Sequence, residues 1–422
     1  MLLLLAMDKK WKHASLKGEV SDLFQLISCI IAFLLLCVVV VIYLFIEKAA
    51  RFKPKTTEAL PPRRHSELDL FLDGRLYFDA LEKEIANAKH HIHLSCYIFR
   101  YDDLGKQFIT YLKNKVKEGI EVRLLLDYFG QKIPLGARLE LMAAGIELRF
   151  SRTPSFRHPI LSLNRRNHRK IAVIDGTIGF FGGYNIGDEY LGKKSEFGQW
   201  RDYHLLLRGE NVQDLQACFL KDWEKASGQT ITGEAYFPTL EAGKTLMRIV
   251  PTPNSALLED EFIQHLNRAK DHVFIGSPYF IPSDRLLGEL LDLLDRGISL
   301  TLLLPMKKDH PLVRPLSYHF FEPLLKKGAQ IYQYYLGFYH AKVFIVDDIS
   351  CYFGTGNFDR RSLFLNDEIC SFIYDQTLIN EIVTKTQKDI LQSRQLTLQD
   401  LKKRTWIEKS KTALSHPFAP LL

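Results

Sequence analysis

One polar string occurs twice in this chain, and each copy surrounds an apolar run. Residues 167–185 read NHRKIAVIDGTIGFFGGYN, and residues 339–357 read YHAKVFIVDDISCYFGTGN. Both follow the pattern H-x-K-x4-D-x6-G-[GT]-x-N. Because a fixed polar spacing repeats together with a strand-like apolar run, coincidence explains it poorly. The sequence therefore predicts two equivalent halves, each of which presents one histidine and one lysine.

The segments that precede the two strings also repeat in order. In the first half, a strand pattern (88–99) is followed by an amphipathic stretch (104–118) and a second strand pattern (119–130). The second half repeats this order over residues 269–280, 286–296 and 297–308. Strands that alternate with helices are typical of an α/β layered fold with a largely parallel sheet. We therefore predict two tandem α/β/α layered domains related by pseudo-twofold symmetry.

Four side chains of the strings are candidates for catalysis. Residues i and i+2 of a strand point to the same face, so His168 and Lys170 project together, as do His340 and Lys342. A single histidine on a strand is more often structural than catalytic. Two copies of the whole string favour a catalytic role for both pairs.

Each string also predicts a hairpin that brings small residues back to its histidine. A turn at Asp175-Gly176 places Gly183 opposite the first histidine, and a turn at Asp347-Asp348 places Thr355 opposite the second. Small residues leave room for a ligand there. Two polar side chains follow them, Asn185 and Asn357.

The aspartates of the strings are predicted to lie away from the histidines. Asp175 is seven residues after His168, roughly 23 Å along an extended strand, and Asp347 has the same spacing. Better placed carboxylates begin the next strand of each half, at Asp202 and Glu368. We expect each of these two to hold the imidazole of its own half and to fix its tautomer.

An apolar run near the N-terminus is long enough to cross a bilayer. Residues 26–46 contain no charged side chain, which favours a retained transmembrane helix. Lys and Arg are more numerous after the run than before it, which predicts a cytoplasmic catalytic part. The predicted order is a polar lead (1–22), the transmembrane helix (23–46), a basic tether (47–65), two domains (66–235 and 236–394) and a tail (395–422).

Charge and cysteine content narrow the class of protein further. The net charge of +7 suits a phosphate-rich partner, either nucleic acid or anionic lipid. Six cysteines without a C-x-x-C pair indicate reduced thiols in a reducing compartment. No His, Cys or Asp cluster has metal-ligand spacing, so we predict neither a metal nor another cofactor.

The two strings resemble the paired HKD motifs of the phospholipase D superfamily. Further segments are similar to bacterial cardiolipin synthases, over roughly residues 66–394: 182–223, SPYFIPSDRLL (277–287), GFYHAKVFIVDD (337–348) and GTGNFDRRSLFLNDE (354–368). Two features differ from those synthases, which usually carry two spans and often an aromatic or apolar residue in place of Asp367.

The resemblance implies an enzyme of phosphodiester exchange through a phosphohistidine. It groups six residues as catalytic: His168, Lys170, Asp175, His340, Lys342 and Asp347. Four others are substrate-binding or supporting candidates: Asn185, Asn357, Asp202 and Glu368. We favour His168 as nucleophile and His340 as acid and base, although pseudo-symmetry leaves the reverse assignment open. The implied reaction joins two phosphatidylglycerol molecules into cardiolipin at a bacterial inner membrane.

A basic loop before the first string is a second candidate for substrate contact. Its arginines, which would either hold anionic headgroups or be merely solvated, are Arg152, Arg157, Arg165, Arg166 and Arg169. The alternatives to a synthase are a hydrolytic phospholipase D, an HKD nuclease and a non-catalytic lipid-binding scaffold. The apolar anchor disfavours a nuclease, and four intact His and Lys positions disfavour a scaffold. Oligomeric state is left open.

Overall fold

The protein comprises two compact units, Met1–Phe52 and Lys53–Leu422. In this computed structural model, the described residues are 25–42, 60–156, 159–253, 256–310, 313–415 and 419. Helix α1 (Gln25–Ile42) is, within those residues, the one helix long and apolar enough to cross a membrane. The predicted polar lead, residues 23–24 and 43–46 of the predicted span and most of the predicted tether lie outside the described residues.

The first half of the second unit alternates strands and helices, as its sequence pattern predicts. Its elements are β1 (Arg64–Phe71), α2 (Gly74–Asn87), β2 (His91–Cys96), α3 (Asp103–Lys117), β3 (Glu121–Asp127), α4 (Leu135–Ala143), β4 (Glu147–Ser151), α5 (Pro159–Asn164), β5 (Ile171–Ile174), β6 (Ile178–Gly182), a 3-10 turn (Asp188–Leu191), β7 (Gln199–Arg201), β8 (His204–Gly209) and α6 (Asn211–Ser227).

The second half repeats this order and adds elements at its end. Its elements are β9 (Thr245–Pro253), α7 (Leu257–Leu266), β10 (His272–Gly276), β11 (Phe280–Ile281), α8 (Asp284–Asp295), β12 (Ser299–Pro305), α9 (Val313–Lys326), β13 (Gln330–Tyr334), β14 (Gly337–Tyr339), β15 (Val343–Val346), β16 (Ser350–Gly354), β17 (Phe358–Asp359), α10 (Arg360–Phe364), β18 (Asp367–Ile373), α11 (Gln376–Leu391), β19 (Ser393–Leu396), α12 (Leu398–Lys402) and α13 (Trp406–Ser415). Strand β19 crosses the predicted boundary at residue 394.

Equivalent helices of the two halves have the same kinds of start and stop signal. Asp102 caps the N-terminus of α3 and Ser283 caps that of α8, and each capping side chain accepts a hydrogen bond from a backbone N–H of the first turn. Gly119 and Gly297 follow these helices with φ of 85° and 80°, where a side chain would be strained. The duplicated pattern is therefore a duplicated local structure.

One fifteen-stranded sheet runs through both halves. Its order is β19-β13-β12-β10-β15-β16-β18-β9-β1-β8-β6-β5-β2-β3-β4, so β1 and β9 pair antiparallel at the junction. Strands β2, β3 and β4 are parallel, as are β10, β12 and β13, while the strands between these sets are antiparallel. The prediction of a largely parallel sheet is wrong, because each motif hairpin reverses the chain within the sheet.

The motif hairpins have a longer loop than the sequence suggests. Ile174 pairs with Ile178 and Val346 with Ser350, so each loop contains three residues. The predicted register, with Gly183 and Thr355 opposite the histidines, is wrong by one residue for this reason.

Apolar packing joins the two halves into one body. Each half has its own core, and a third buried cluster includes Ile171 and Leu205 from the first half with Val343 and Ile369 from the second. Helices α6 and α11 contribute to this shared cluster. The sheet positions on either side of the junction are therefore held rigidly with respect to each other.

Candidate active site

Both motif histidines line a single cavity at the junction of the halves. The cavity has a volume of about 400 Å³, and its lining includes His168, Asn185, His340 and Asn357. It therefore collects the polar groups of two strings that lie far apart in the sequence.

Backbone pairing between the halves determines which groups meet. The N–H of His168 donates to the carbonyl of Asp367 at 3.0 Å, and the N–H of His340 donates to the carbonyl of Arg201 at 2.7 Å. Strand β14, just before His340, pairs in parallel with β7 of the first half. Each motif thus lies beside the start of a strand that belongs to the other half.

The orienting carboxylates are consequently exchanged between the halves. Glu368 holds Nδ1 of His168, with its oxygens 2.8 and 3.1 Å away. Asp202 holds Nδ1 of His340 at 2.5 Å. The two residues predicted to orient imidazoles are thus in contact with them, but their predicted pairing within one half is wrong. The cross-half backbone bonds are the physical reason.

Glu368 is fully buried and is held by neighbours of its own half. The hydroxyl of Thr355 donates to Oε2 at 2.6 Å, and the Asn366 amide donates to Oε1 at 3.3 Å. Burial alone raises the pKa of this carboxyl, but His168 and Lys170 outweigh it and the net pKa is lowered. Glu368 is therefore a carboxylate that accepts from Nδ1 and leaves Nε2 of His168 free.

Asp202 is equally buried but sits closer to a cation. Its Oδ1 accepts from the Tyr203 N–H at 2.8 Å, and its Oδ2 lies 3.6 Å from Nζ of Lys342. That ammonium also lies 2.6 Å from Nδ1 of His340. Burial and Lys342 together lower the pKa of His340 to about 3, which favours the neutral imidazole.

The first-half pair has a similar electrostatic setting. Burial and the neighbouring Lys170 lower the pKa of His168, although Glu368 acts in the opposite direction. Nζ of Lys170 donates to the His168 carbonyl at 2.7 Å. Burial and Lys342 lower the pKa of Lys170 to about 7. An anionic substrate would raise the pKa of Lys170 again.

The motif aspartates do not serve the histidines. The Asp175 carboxylate accepts from the backbone N–H groups of residues 89, 90 and 91 at 2.8–3.0 Å. Asp347 accepts from those of residues 270, 271 and 272 at 2.8–2.9 Å. Both residues have positive φ at a turn. Grouping them as catalytic by resemblance therefore disagrees with their contacts, which tie each hairpin to the start of a neighbouring strand.

The two asparagines line the cavity with different degrees of freedom. Asn185 accepts from the Ile98 N–H at 2.9 Å and donates to the Tyr190 hydroxyl at 3.0 Å. The Asn357 amide donates to Asp359 at 3.0 Å, while its Oδ1 is buried with no partner among the described residues. Asn185 is thus fixed by structural bonds, and Asn357 retains an unused acceptor.

The described arginines of the basic loop form salt bridges with carboxylates inside the protein. Arg152 and Arg165 pair with Asp367, Arg166 pairs with Asp127, and Arg169 pairs with Asp222. These contacts contradict the alternative in which the arginines are merely solvated. They also leave few guanidinium groups available to lipid headgroups, because a buried guanidinium needs a partner. Arg157 lies outside the described residues.

Several residues that line the cavity were not predicted from the sequence. Arg361 follows the second string within a quoted family segment, a position that offered a signal. Tyr279 and Asp309 also line the cavity, from loops that follow β10 and β12. No periodic pattern marks loop residues of this kind, so the fold was needed to find them.

Comparisons with known proteins agree with this geometry. The sequence profile described as "Cardiolipin synthase, PLD-like domain" matches residues 81–223 and 262–390. The minor cardiolipin synthase ClsB of Bacillus subtilis is 36% identical over 385 residues, covering 89% of this chain and 96% of that protein. The chain belongs to the cardiolipin synthase family of phospholipase D-like enzymes. A cardiolipin synthase of Oceanobacillus iheyensis is 38% identical over 375 residues, covering 87% of this chain and 78% of the relative.

Membership of the cardiolipin synthase family makes the chain a phosphatidyltransferase that acts on phospholipid. The fold also matches a phosphatidylserine synthase of Haemophilus influenzae, with a TM-score of 0.68, 15% identity and coverage of 89% of this chain and 99% of that one. The family's duplicated domain corresponds to the two halves described above. Among the described residues, no group of three or more His, Cys, Asp and Glu side chains is arranged to hold a metal ion.

Proposed function

We propose that the enzyme makes cardiolipin from two phosphatidylglycerol molecules and releases glycerol, through a phosphohistidine intermediate. One observation carries the proposal: two imidazoles line one cavity, and each has its Nδ1 held by a buried carboxylate. One histidine alone cannot act as nucleophile and as acid for the same phosphorus. Two of them supply both functions.

In the first step, Nε2 of His168 attacks the phosphorus of the donor lipid. The P–N bond forms as the bond from phosphorus to the glycerol oxygen breaks. His340 gives its proton to that oxygen, and glycerol departs. Glu368 stabilises the imidazolium that develops on His168, as its two-oxygen contact allows.

In the second step, a hydroxyl of the second phosphatidylglycerol attacks the phosphohistidine. Its proton passes to His340, the new P–O bond forms, and the P–N bond to His168 breaks. Both histidines return to their starting states. The leaving and the entering alcohol therefore occupy the same position, because His340 protonates the first and deprotonates the second.

The choice of His168 as nucleophile is supported by the geometry of its carboxylate. Both oxygens of Glu368 lie near Nδ1 of His168, whereas Nδ1 of His340 is shared between Asp202 and Lys342. His340 must gain a proton before it can donate one. The negative charge of the bound phosphate raises its pKa for that purpose.

The lysines of both strings are proposed to stabilise the reacting phosphate. Lys170 and Lys342 lie beside the histidines, and burial lowers the pKa of both lysines. Non-bridging oxygens would give both lysines a further anionic partner during the reaction. Asn185 and Asn357 line the same cavity.

The proposed setting is a bacterial inner membrane. Helix α1 supplies one candidate crossing, and both lipid substrates reside in the bilayer. We propose a cytoplasmic catalytic unit, since the basic residues are more numerous on the C-terminal side of the span. We also propose the domain boundaries predicted from the sequence, with catalytic domains at 66–235 and 236–394.

A single assay separates the candidate activities. Purified full-length protein is incubated with labelled phosphatidylglycerol in detergent, and the products are resolved with His168→Ala as the control. Cardiolipin and glycerol in equal amounts are expected. Phosphatidic acid as the main product would indicate a hydrolytic phospholipase D, and the absence of either lipid would contradict the proposal.

A further inference from the structure

A tyrosine–aspartate pair in the cavity has no part in the steps above. The Tyr279 hydroxyl donates a hydrogen bond to Oδ2 of Asp309, and both residues line the cavity that contains His340. Asp309 is an exposed residue that faces this cavity, and it interacts electrostatically with Lys342. The pair therefore lies in the reaction cavity, near the lysine that accompanies the acid and base histidine.

This pair breaks the pseudo-symmetry of the site. Phe99 bridges Ile186 in the first half, and Phe280 pairs with Phe358 in the second, so the two phenylalanines occupy equivalent positions. The residue before Phe280 is Tyr279, and the residue before Phe99 is the apolar Ile98. The first half therefore lacks the phenol at the equivalent position.

The chemistry of the pair selects hydrogen-bond donors. Once the phenol has donated its single hydrogen, the remaining lone pairs of Asp309 and of the Tyr279 oxygen can only accept. Arg361 lines the same cavity and suits phosphate oxygens. A carboxylate in such a cationic cavity disfavours phosphate and matches an alcohol with more than one hydroxyl.

We propose that Tyr279 and Asp309 bind the glycerol hydroxyls of the leaving headgroup and of the incoming acceptor, and so set the alcohol specificity of the enzyme. The inference rests on the proposed function, in which both alcohols occupy the His340 side. A site that hydrogen-bonds a substrate hydroxyl discriminates strongly against an alcohol that lacks it. Ethanol reacts through one hydroxyl and has no second one for the pair.

The test uses a donor whose departure does not need the glycerol site. Phosphatidyl-p-nitrophenol in detergent loads the full-length enzyme, and p-nitrophenol release measures that loading. Glycerol and ethanol then compete for the phosphoenzyme, and the lipid products give the transfer ratio. The variants are Asp309→Ala and Tyr279→Phe. Asp295→Ala is the matched control, because Asp295 pairs with Lys327 at an exposed position of α8.

The wild type and the control are expected to prefer glycerol. Asp309→Ala should lower the glycerol-to-ethanol ratio by about tenfold or more, and Tyr279→Phe by about threefold to tenfold. The glycerol-to-ethanol ratio does not depend on how fast the phosphoenzyme forms, and circular dichroism reports that both variants are folded.

Contrary outcomes are distinguishable. A wild type that transfers to glycerol, with variants that keep its ratio, overturns the inference and leaves the proposed function intact. A wild type that does not prefer glycerol to ethanol also overturns it, since the pair would then not recognise a second hydroxyl. A wild type that forms only phosphatidic acid overturns the transferase proposal and the inference together.

Discussion

Gly183 and Thr355 occupy equivalent positions in the two halves, yet they meet their carboxylates in opposite ways. A Cβ added at Gly183 would lie 2.0 Å from Oδ1 of Asp202, whereas the Thr355 hydroxyl donates to Glu368 at 2.6 Å. In the first half, the missing side chain of Gly183 makes room for the short carboxylate of Asp202. In the second half, the Thr355 side chain holds the longer carboxylate of Glu368. One backbone plan therefore supports two unlike carboxylates.

Each of these carboxylates serves the histidine of the other half. The halves are therefore not two copies of a complete site, because each has a histidine without its own orienting group. The duplicated sheet explains the similarity, and the exchange across its junction explains why both copies are required. The experiments below challenge the comparison from its strongest consequence to its weakest.

The largest expected effect follows loss of either histidine. His168→Ala and His340→Ala should each lower kcat by at least about 10⁴-fold, since nucleophile and acid act as one unit. Circular dichroism and the thermal midpoint should stay close to those of the wild type. Near-normal turnover in either variant would show that the two halves do not share one reaction.

Loss of an orienting carboxylate should cost less. Glu368→Gln and Asp202→Asn keep the shape of the side chain, and each should slow kcat by about 100-fold or more through a misoriented imidazole. Steady-state kinetics on both variants check this. If one variant keeps full activity while the other loses it, the exchange of carboxylates is not reciprocal in function.

The contrast between Gly183 and Thr355 predicts unequal effects of the same new side chain. Gly183→Ala pushes a methyl group against Asp202. The displaced carboxylate would orient His340 poorly, so kcat should fall by about 10-fold to 100-fold. Thr355→Ala removes the hydrogen bond to Glu368 together with two to the Ile369 backbone. The bond to Glu368, at about 1 kcal/mol, corresponds to roughly fivefold in kcat. Equal losses in the two variants would mean that the halves hold their carboxylates alike.

The motif aspartates should affect stability rather than chemistry. Asp175→Asn and Asp347→Asn retain a side chain that tolerates positive φ but weaken its bonds to three backbone N–H groups. Each should lower the free energy of unfolding by about 1 kcal/mol and change kcat by less than about threefold. Urea unfolding and kinetics on the same samples separate the two. A large loss of kcat at unchanged stability would restore a catalytic role.

Local features of the site were predictable from the sequence. The H-x-K spacing, the turn aspartates and the two strand-leading carboxylates each follow from strand and turn geometry over a few residues. The seven-residue distance from His168 to Asp175 excluded contact within one motif before any fold was known. Such arguments need only the rise of a strand and the position of a turn.

Long-range features were not predictable in this way. The pairing of Glu368 with His168 depends on how the edges of the two halves meet, and no local pattern encodes that alignment. No local pattern encodes the pairing of β1 with β9 either. Nor does one encode the salt bridges from the arginines of the basic loop to Asp222 and Asp367. The loop of three residues rather than two shifted the predicted register by one, because turn length is weakly specified by composition.

The exchange of carboxylates is the central claim, and imidazole nitrogen spectra test it most directly. With ¹⁵N-histidine labelling, and with His168→Ala and His340→Ala to assign the resonances, Glu368→Gln should alter the tautomer shifts of His168 and leave those of His340 unchanged. Asp202→Asn should do the reverse. If Glu368→Gln instead alters His340 and spares His168, each half orients its own histidine and the account is contradicted.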